Sequence, residues 1–318
     1  MTLEIPNYRV IERIGTGAAT AIYRARCVRT GRDYAIKTMK VRAPEDMKII
    51  DSMRDEYNVG SQMDHPVIRK VYEFRLIRQR LRVRGALLFM EYVPGVSMSD
   101  KDFKPSLQEV LRLFAIAAEG LAAMHRVGFV HADLKPGNMI VTPYGNLKLI
   151  DLGQSFRLGQ AKQRVQGTID YMAPEQALRE TIDQRTDVFG LGATLHRVLT
   201  GKPVPTEMNQ TVNPHSHRLL GKRVEEIPQP ILTELPVSVA RLIEDCCETN
   251  PADRPQDITA VMQRLEMALA IVSKPPTEDM IEGREDDESY LDEHEEEFFM
   301  EEDPSGFLDT QTNPGEPA

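Results

Sequence analysis

Two contrasting periodicities predict an α+β fold of two lobes. Residues 8–91 read as strands interrupted by one helix, and helical spacing dominates from residue 97 onward. Length and composition agree: 318 residues, 41% of them apolar, suffice for two packed lobes and a tail.

The elements follow in order. Residues 8–14 alternate apolar and polar side chains and then meet Gly15, which ends a first strand. Residues 21–26 and 33–39 flank a turn at Thr30-Gly31 and read as two more strands. A helix is predicted over 44–63, with Ile49, Met53, Glu56, Gly60 and Met63 along one face. Strands at 71–74 and 86–90 follow. Between them lies an arginine-rich hairpin, 75–84, with Arg75, Arg78, Arg80, Arg82 and Arg84; the last four alternate at the strand period and should share a face. Ser106-Leu107-Gln108-Glu109 is a capping box that opens a helix carrying Leu107, Val110, Leu111, Phe114, Ala118, Leu121 and Met124 at helical spacing. Further helices are predicted near 186–199, 237–248 and 257–271.

The net charge of −10 conceals an asymmetry. Residues 276–318 hold 17 Asp and Glu against one base, Arg284, a net charge of −16; the other 275 residues hold 32 acids and 38 bases, a net charge of +6. The acidic segment cannot bury enough apolar surface to fold alone and is predicted to be a disordered tail. Cys27, Cys246 and Cys247 do not form a disulfide framework, which points to a reducing, cytoplasmic setting. No apolar run approaches the ~20 residues that cross a bilayer. The start, Met1-Thr2-Leu3-Glu4-Ile5-Pro6, lacks the basic and apolar regions of a signal peptide. Neither a membrane span nor a nucleic-acid partner is expected. The seven histidines show no metal-ligand spacing, and His215 and His217 read as solvated.

The chemistry concentrates in His131-Ala132-Asp133-Leu134-Lys135-Pro136-Gly137-Asn138, followed thirteen residues later by Asp151-Leu152-Gly153. One loop thus carries a carboxylate, a cation and an amide, and a separate turn carries a second carboxylate. Phosphoryl transfer needs this set: a proton acceptor, a charge to steady the γ-phosphate, and two oxygen ligands for magnesium. Upstream, Gly15 and Gly17 sit between two predicted strands, where a backbone without side chains can lie close over phosphates. Alone that signal is weak, since any hairpin can use glycines. Lys37 stands in the strand Ala35-Ile36-Lys37, and Glu56 stands on the next helix, nine residues before His65-Pro66.

The order and spacing of these motifs resemble the eukaryotic-like (Hanks-type) Ser/Thr protein kinases over about 8–271, with compact loops similar to bacterial members. The resemblance implies a bilobal protein kinase fold over 8–272, with a small lobe at about 8–91 and a large lobe at about 97–272, and an acidic tail at 276–318. It implies ATP and magnesium, with manganese as an alternative, as cofactors, and proteins bearing Ser or Thr as substrates, with autophosphorylation. Asp133 would accept the substrate hydroxyl proton, Lys135 would neutralise the γ-phosphate, and Asn138 and Asp151 would each hold a magnesium ion. Lys37, fixed by Glu56, would hold the α- and β-phosphates. Ile22, Ala35 and Met90 would line the adenine pocket, and the backbone of Glu91 and Val93 would bond the adenine edge. Thr168 would contact Asp133 and Lys135. Glu175 of Ala173-Pro174-Glu175 would pair with Arg254, and Asp187 would brace the catalytic loop.

Several positions depart from the pattern. Thr20 replaces the third glycine of the phosphate loop, and Ser97 stands where many relatives carry an acid for the ribose. Ala132 replaces the arginine that normally meets an activation-loop phosphate, and 151–167 offers a single hydroxyl, Ser155, so loop phosphorylation should not be required. Leu152 replaces a phenylalanine as an apolar plug. Gly60 replaces a bulky residue and is expected to leave a packing gap beside the helix. A pseudokinase that binds nucleotide or partners without transfer, and a small-molecule kinase, are the competing functions. The acidic tail could also dock on the arginine hairpin.

Overall fold

A computed structural model of the chain describes residues 5–17, 19–161, 168–204, 231 and 234–273. These belong to one compact unit, Met1–Ser273; the second unit, Lys274–Ala318, lies outside the described residues, and with it the predicted tail. His215 and His217 also lie outside them.

Strands β1 (Tyr8–Thr16), β2 (Thr20–Cys27), β3 (Asp33–Lys40), β4 (Val71–Gln79) and β5 (Arg82–Glu91) form an antiparallel sheet in the order β1-β2-β3-β5-β4. The two-residue alternation of β3 sends Ala35 and Met39 to one face and Ile36 to the other. The first face packs helix α1 (Met47–Gly60) through Ile50, Met53, Val71, Leu88 and Met90. The second packs Ile5, Ala25, Leu87 and Phe89. Lys37 shares the parity of Ala35 and Met39, so it leaves the sheet on the α1 side.

Helix α1 begins later than its sequence predicts. Pro44–Asp46 form a single 3₁₀ turn, and Asp46 Oδ2 accepts from the N–H groups of Arg42 and Ala43 at 2.6 and 3.0 Å. Ile50 is fully buried, in phase with Met53, Glu56, Val59 and Gly60, and Ile49 is partly buried against the same core.

The arginine hairpin also differs from expectation. Its turn falls at Arg80-Leu81, with Arg80 left-handed (φ 55°), and the register pairs Arg78 with Val83 and Gln79 with Arg82. Adjacent residues on a strand face opposite ways, so Arg78 and Arg82 lie on opposite faces. The chain reversal breaks the alternation that the linear sequence suggests.

In the larger, helical lobe, α2 (Leu107–Arg126) opens on the predicted capping box: Ser106 Oγ accepts from Glu109 N, and Glu109 Oε2 accepts from Ser106 N at 2.8 Å. Leu111, Phe114, Leu121, Val188, Leu191, Leu195, Leu242 and Leu265 form its core with α3 (Gln184–Thr200), α4 (Val237–Cys246) and α5 (Ile258–Val272). Short strands sit on this base. β6 (Val96–Ser97), β8 (Met139–Val141) and β9 (Leu147–Leu149) form one sheet, and β7 (Phe129–Val130) pairs with β10 (Phe156–Arg157). The loop 131–138 runs from β7 to β8, and the turn 150–155 runs from β9 to β10. Strand pairing thereby brings together two polar segments separated in sequence.

Candidate active site

Lys37 and Glu56 meet because the strand period and the helix period place both on the β3–α1 interface. Lys37 Nζ donates to Glu56 Oε2 at 2.7 Å, and Asp151 Oδ1 lies 3.9 Å from the same nitrogen. Burial pulls the Lys37 pKa down, but Glu56 and then Asp151 outweigh it and leave it above its ordinary value. Burial pushes the Glu56 carboxyl up, against the opposing pull of Lys37. For Asp151 burial also pushes upward, yet Lys37 and Arg69 bring it below its ordinary value. Asp151 keeps a left-handed backbone (φ 65°) and 42% of its side chain exposed.

Gly15 faces Ile22 across the β1–β2 ladder. Gly17 N–H donates to the Thr20 carbonyl at 2.9 Å, and the Thr20 hydroxyl fills the space that a Gly17 side chain would need. Thr20 therefore closes the loop from beneath. Ala35 faces Met90 across the β3–β5 ladder, and Ile22 packs on the same cluster. The Glu91 N–H donates to the Lys70 carbonyl at 2.9 Å. Its carboxylate accepts from Lys148 Nζ at 2.8 Å and from Lys70 N at 3.1 Å, pinning the strand end. Ser97 Oγ donates to the Pro136 carbonyl at 3.2 Å, so this hydroxyl ties β6 to the polar loop.

Within that loop the groups converge on Asp133. Its Oδ1 accepts from Thr168 N at 3.2 Å, and its Oδ2 accepts from Asn138 Nδ2 at 3.3 Å. Asn138 Nδ2 also donates to the Asp133 carbonyl at 2.8 Å. Lys135 Nζ donates to Thr168 Oγ1 at 3.1 Å and lies 3.7 Å from Asp133 Oδ2. Asp187 braces the loop from below, accepting from His131 N and Ala132 N at 2.8 Å each. Burial pushes the Asp187 carboxyl up, but His125 and these partners bring it below its ordinary value. Ala132 is left-handed (φ 59°), and its carbonyl accepts from Gln176 Nε2 at 2.9 Å. Glu175 and Arg254 form a buried pair, Nη1–Oε1 2.8 Å and Nη2–Oε2 2.9 Å, with Thr186 Oγ1 donating to Glu175 at 2.8 Å.

Residues 8–266 match the protein kinase domain family. The chain belongs to the protein kinase family. Serine/threonine-protein kinase PknA of Mycobacterium tuberculosis is 31% identical over 256 residues, 78% of this chain and 58% of that protein. PknB of the same organism is 27% identical over 282 residues, 85% of this chain and 44% of PknB. PknB of Mycolicibacterium smegmatis is 31% identical over 208 residues, 62% and 33% of the two chains. The matches thus span between a third and three-fifths of these relatives.

Two features of this kinase domain revise or extend its sequence reading. Gly60 leaves no gap: a methyl there would overlap the Val71 side chain, 2.8 Å from its Cβ, and lie 3.5 Å from Leu152 Cδ1. The Val71 side chain occupies the space a larger residue would take, and Leu152, in ordinary contact range of it, packs as a plug against Val59, Met63, Ile68, Met124 and Phe129. His125, Gln176 and Arg69 join the site unannounced. His125 Nε2 lies 2.8 Å from Asp187 Oδ2, and Arg69 Nη2 lies 3.7 Å from Glu56 Oε1. Helix period could have found His125, four positions beyond the buried Leu121; nothing in the spacing marks Arg69.

Proposed function

We propose that this chain is an ATP-dependent protein serine/threonine kinase of the bacterial Hanks type. The convergence of Asn138, Lys135 and Thr168 on the Asp133 carboxylate, beside the Lys37–Glu56–Asp151 cluster, carries the reading. Asp133 takes the proton of a Ser or Thr hydroxyl as the hydroxyl oxygen bonds to the γ-phosphorus of ATP, while the bond from that phosphorus to the bridging oxygen breaks and ADP leaves. Lys135 balances charge on the transferred group, and Thr168 fixes both side chains. Lys37, oriented by Glu56, holds the α- and β-phosphates beneath Gly15 and Gly17. Ile22, Ala35 and Met90 close on the adenine, whose edge meets the Glu91 carbonyl and the Val93 backbone.

The donor set fits magnesium, with manganese as an alternative. Asn138 spends its Nδ2 on Asp133, which leaves Oδ1 as an oxygen ligand, and Asp151 presents a partly exposed carboxylate. Two protein oxygens, phosphate oxygens and waters would make up the oxygen shell that such an ion takes. When bound, the ion neutralises phosphate charge.

Incubation with labelled ATP, magnesium and a generic basic protein tests the proposal. Label on Ser and Thr, and on the kinase itself, is the expected result. Nucleotide binding without transfer would favour a pseudokinase instead, and label confined to small molecules a small-molecule kinase.

A cytoplasmic setting belongs to the same proposal, supported by three unpaired thiols at Cys27, Cys246 and Cys247. No helix among the described residues is long and apolar enough to cross a membrane. We also propose that residues 276–318 are an acidic tail that contacts the arginine hairpin, supported by charges of −16 and +6 on tail and body. Arg78, Arg80, Arg82 and Arg84 are exposed there. Tethering gives an effective concentration near the millimolar range. Full-length protein and a chain ending at Lys274 should differ in hairpin amide exchange at low salt and converge at high salt. Identical exchange at both would remove this contact from the proposal.

A further inference from the structure

We infer that Arg69 is a positioning residue of the transfer site, a buried second cation that keeps Glu56 turned toward Lys37; the inference rests on the kinase reading above. Arg69 follows α1 in a segment zipped onto β9. Its N–H donates to the Leu149 carbonyl at 3.0 Å, and Leu149 N donates to the Val67 carbonyl at 2.7 Å. Two residues beyond Leu149 stands Asp151. One short backbone ladder therefore carries both the arginine behind Glu56 and the carboxylate in front of Lys37.

The side chain of Arg69 is 8% exposed, and its Nη2 lies 3.7 Å from Glu56 Oε1. That oxygen is buried and accepts no hydrogen bond, while its twin Oε2 is taken by Lys37. At 3.7 Å the contact is an ion pair without a directed hydrogen bond, so Arg69 acts on Glu56 through charge. The charges facing Glu56 are Lys37 from β3, Asp151 from the β9–β10 turn, and Arg69 from the α1–β4 segment. Two cations thus balance two carboxylates. Without Arg69 the cluster carries one excess negative charge, and the nucleotide phosphates add more. A buried carboxylate with a single cation shared by a second carboxylate would escape by rotating outward or by taking a proton, and either breaks the hold on Lys37.

The test compares wild type, Arg69→Met, Arg69→Lys, Glu56→Gln and the double variant Arg69→Met/Glu56→Gln, all as the full chain. Methionine keeps a buried apolar stem at position 69 and removes the guanidinium with its charge. Two readouts are taken: amide exchange across Met47–Gly60 without nucleotide, and kcat and KM for ATP. The expected result is roughly tenfold faster exchange in α1 and a kcat roughly tenfold lower for Arg69→Met, with KM changed less than kcat. Arg69→Lys should restore most of both, and Arg69→Met should add nothing in the Glu56→Gln background. Should Arg69→Met fail to fold, Arg69→Gln carries the same comparison. Wild-type exchange and kcat in Arg69→Met would overturn the inference. So would an equal effect with Glu56 absent, or a lysine variant as poor as methionine. If the wild type itself transfers no phosphate, the kinase reading fails, while the exchange cycle still decides whether Arg69 acts through Glu56.

Discussion

Gly60→Ala sets two opposed effects against each other at one methyl group. Gly60 is the last residue of α1, where replacing glycine by alanine gains at most the ~1 kcal/mol of backbone entropy that a helix interior would. Here the new methyl would overlap the Val71 side chain, 2.8 Å from its Cβ, and meet Leu152 Cδ1 at 3.5 Å. Val71 is 8% exposed and paired with Met90 in the β4–β5 ladder, and a β-branched side chain has little rotamer freedom to yield. Overpacking of this kind costs ~1–3 kcal/mol. Set against the full ~1 kcal/mol gain, the net change is a loss of ~0–2 kcal/mol, a fall in Tm of up to ~8 °C for a domain of this size. Activity should fall further than stability. Glu56 lies one turn upstream on the same buried face, so an α1 pushed off Val71 stretches the 2.7 Å Lys37–Glu56 bond. Displacement of a positioning group by about 1 Å lowers rate by up to ~100-fold. The assay is thermal unfolding and initial rate for wild type, Gly60→Ala, Val71→Ala and the double variant. Val71→Ala should rescue both quantities in the Gly60→Ala background, though by itself it leaves a cavity. A Gly60→Ala protein that is more stable and fully active, or one that Val71→Ala does not rescue, would refute the packing argument.

Other perturbations read different parts of the molecule. Asp133→Asn should lower kcat by at least the ~10²–10⁴ that a positioned base supplies, with ATP affinity nearly unchanged in a direct binding assay; substantial turnover would displace Asp133 from its role. Protein made with a phosphatase, bare at Ser155 and Thr168 by mass spectrometry, should show full initial rate without a lag, because Gln176 and Asp187 already hold the Ala132 backbone. Arg254→Met should cost ~3–5 kcal/mol in urea unfolding, since it strands the Glu175 carboxylate, 3% exposed, with Thr186 alone. Asp33 is held at about 2, from an ordinary 3.8, chiefly by its hydrogen bond from Arg26, against burial, and then by Arg24. A depressed folded pKa stabilises above the unfolded value and is lost as pH falls. Asp33→Asn should therefore cost ~1 kcal/mol near neutrality after solvent screening, and the gap to wild type should close between pH 4 and pH 2 in urea titrations at successive pH.

Local order in the chain determined a good part of this architecture. Strand alternation in β3 places Ala35, Lys37 and Met39 on one face, helical spacing in α2 places Leu111, Phe114 and Leu121 in the core, and the capping box at Ser106 opens its helix. Such features depend on neighbours within a few residues, which is why periodicity reports them. The motif order around Asp133 and Asp151 was legible for the same reason, since each motif is a short loop with its own residue requirements. Long-range packing decided the rest. The sheet packed against α1 decides that Ile50 is fully buried and Ile49 only partly. Chain reversal at Arg80-Leu81 separates arginines that alternate in the linear text. Gly60 fills rather than vacates its site because Val71 and Leu152, distant in sequence, close on it. Arg69 is a surface-type residue by composition, and only the ladder from Val67 to Leu149 carries it behind Glu56, where a buried carboxylate gives its charge a partner.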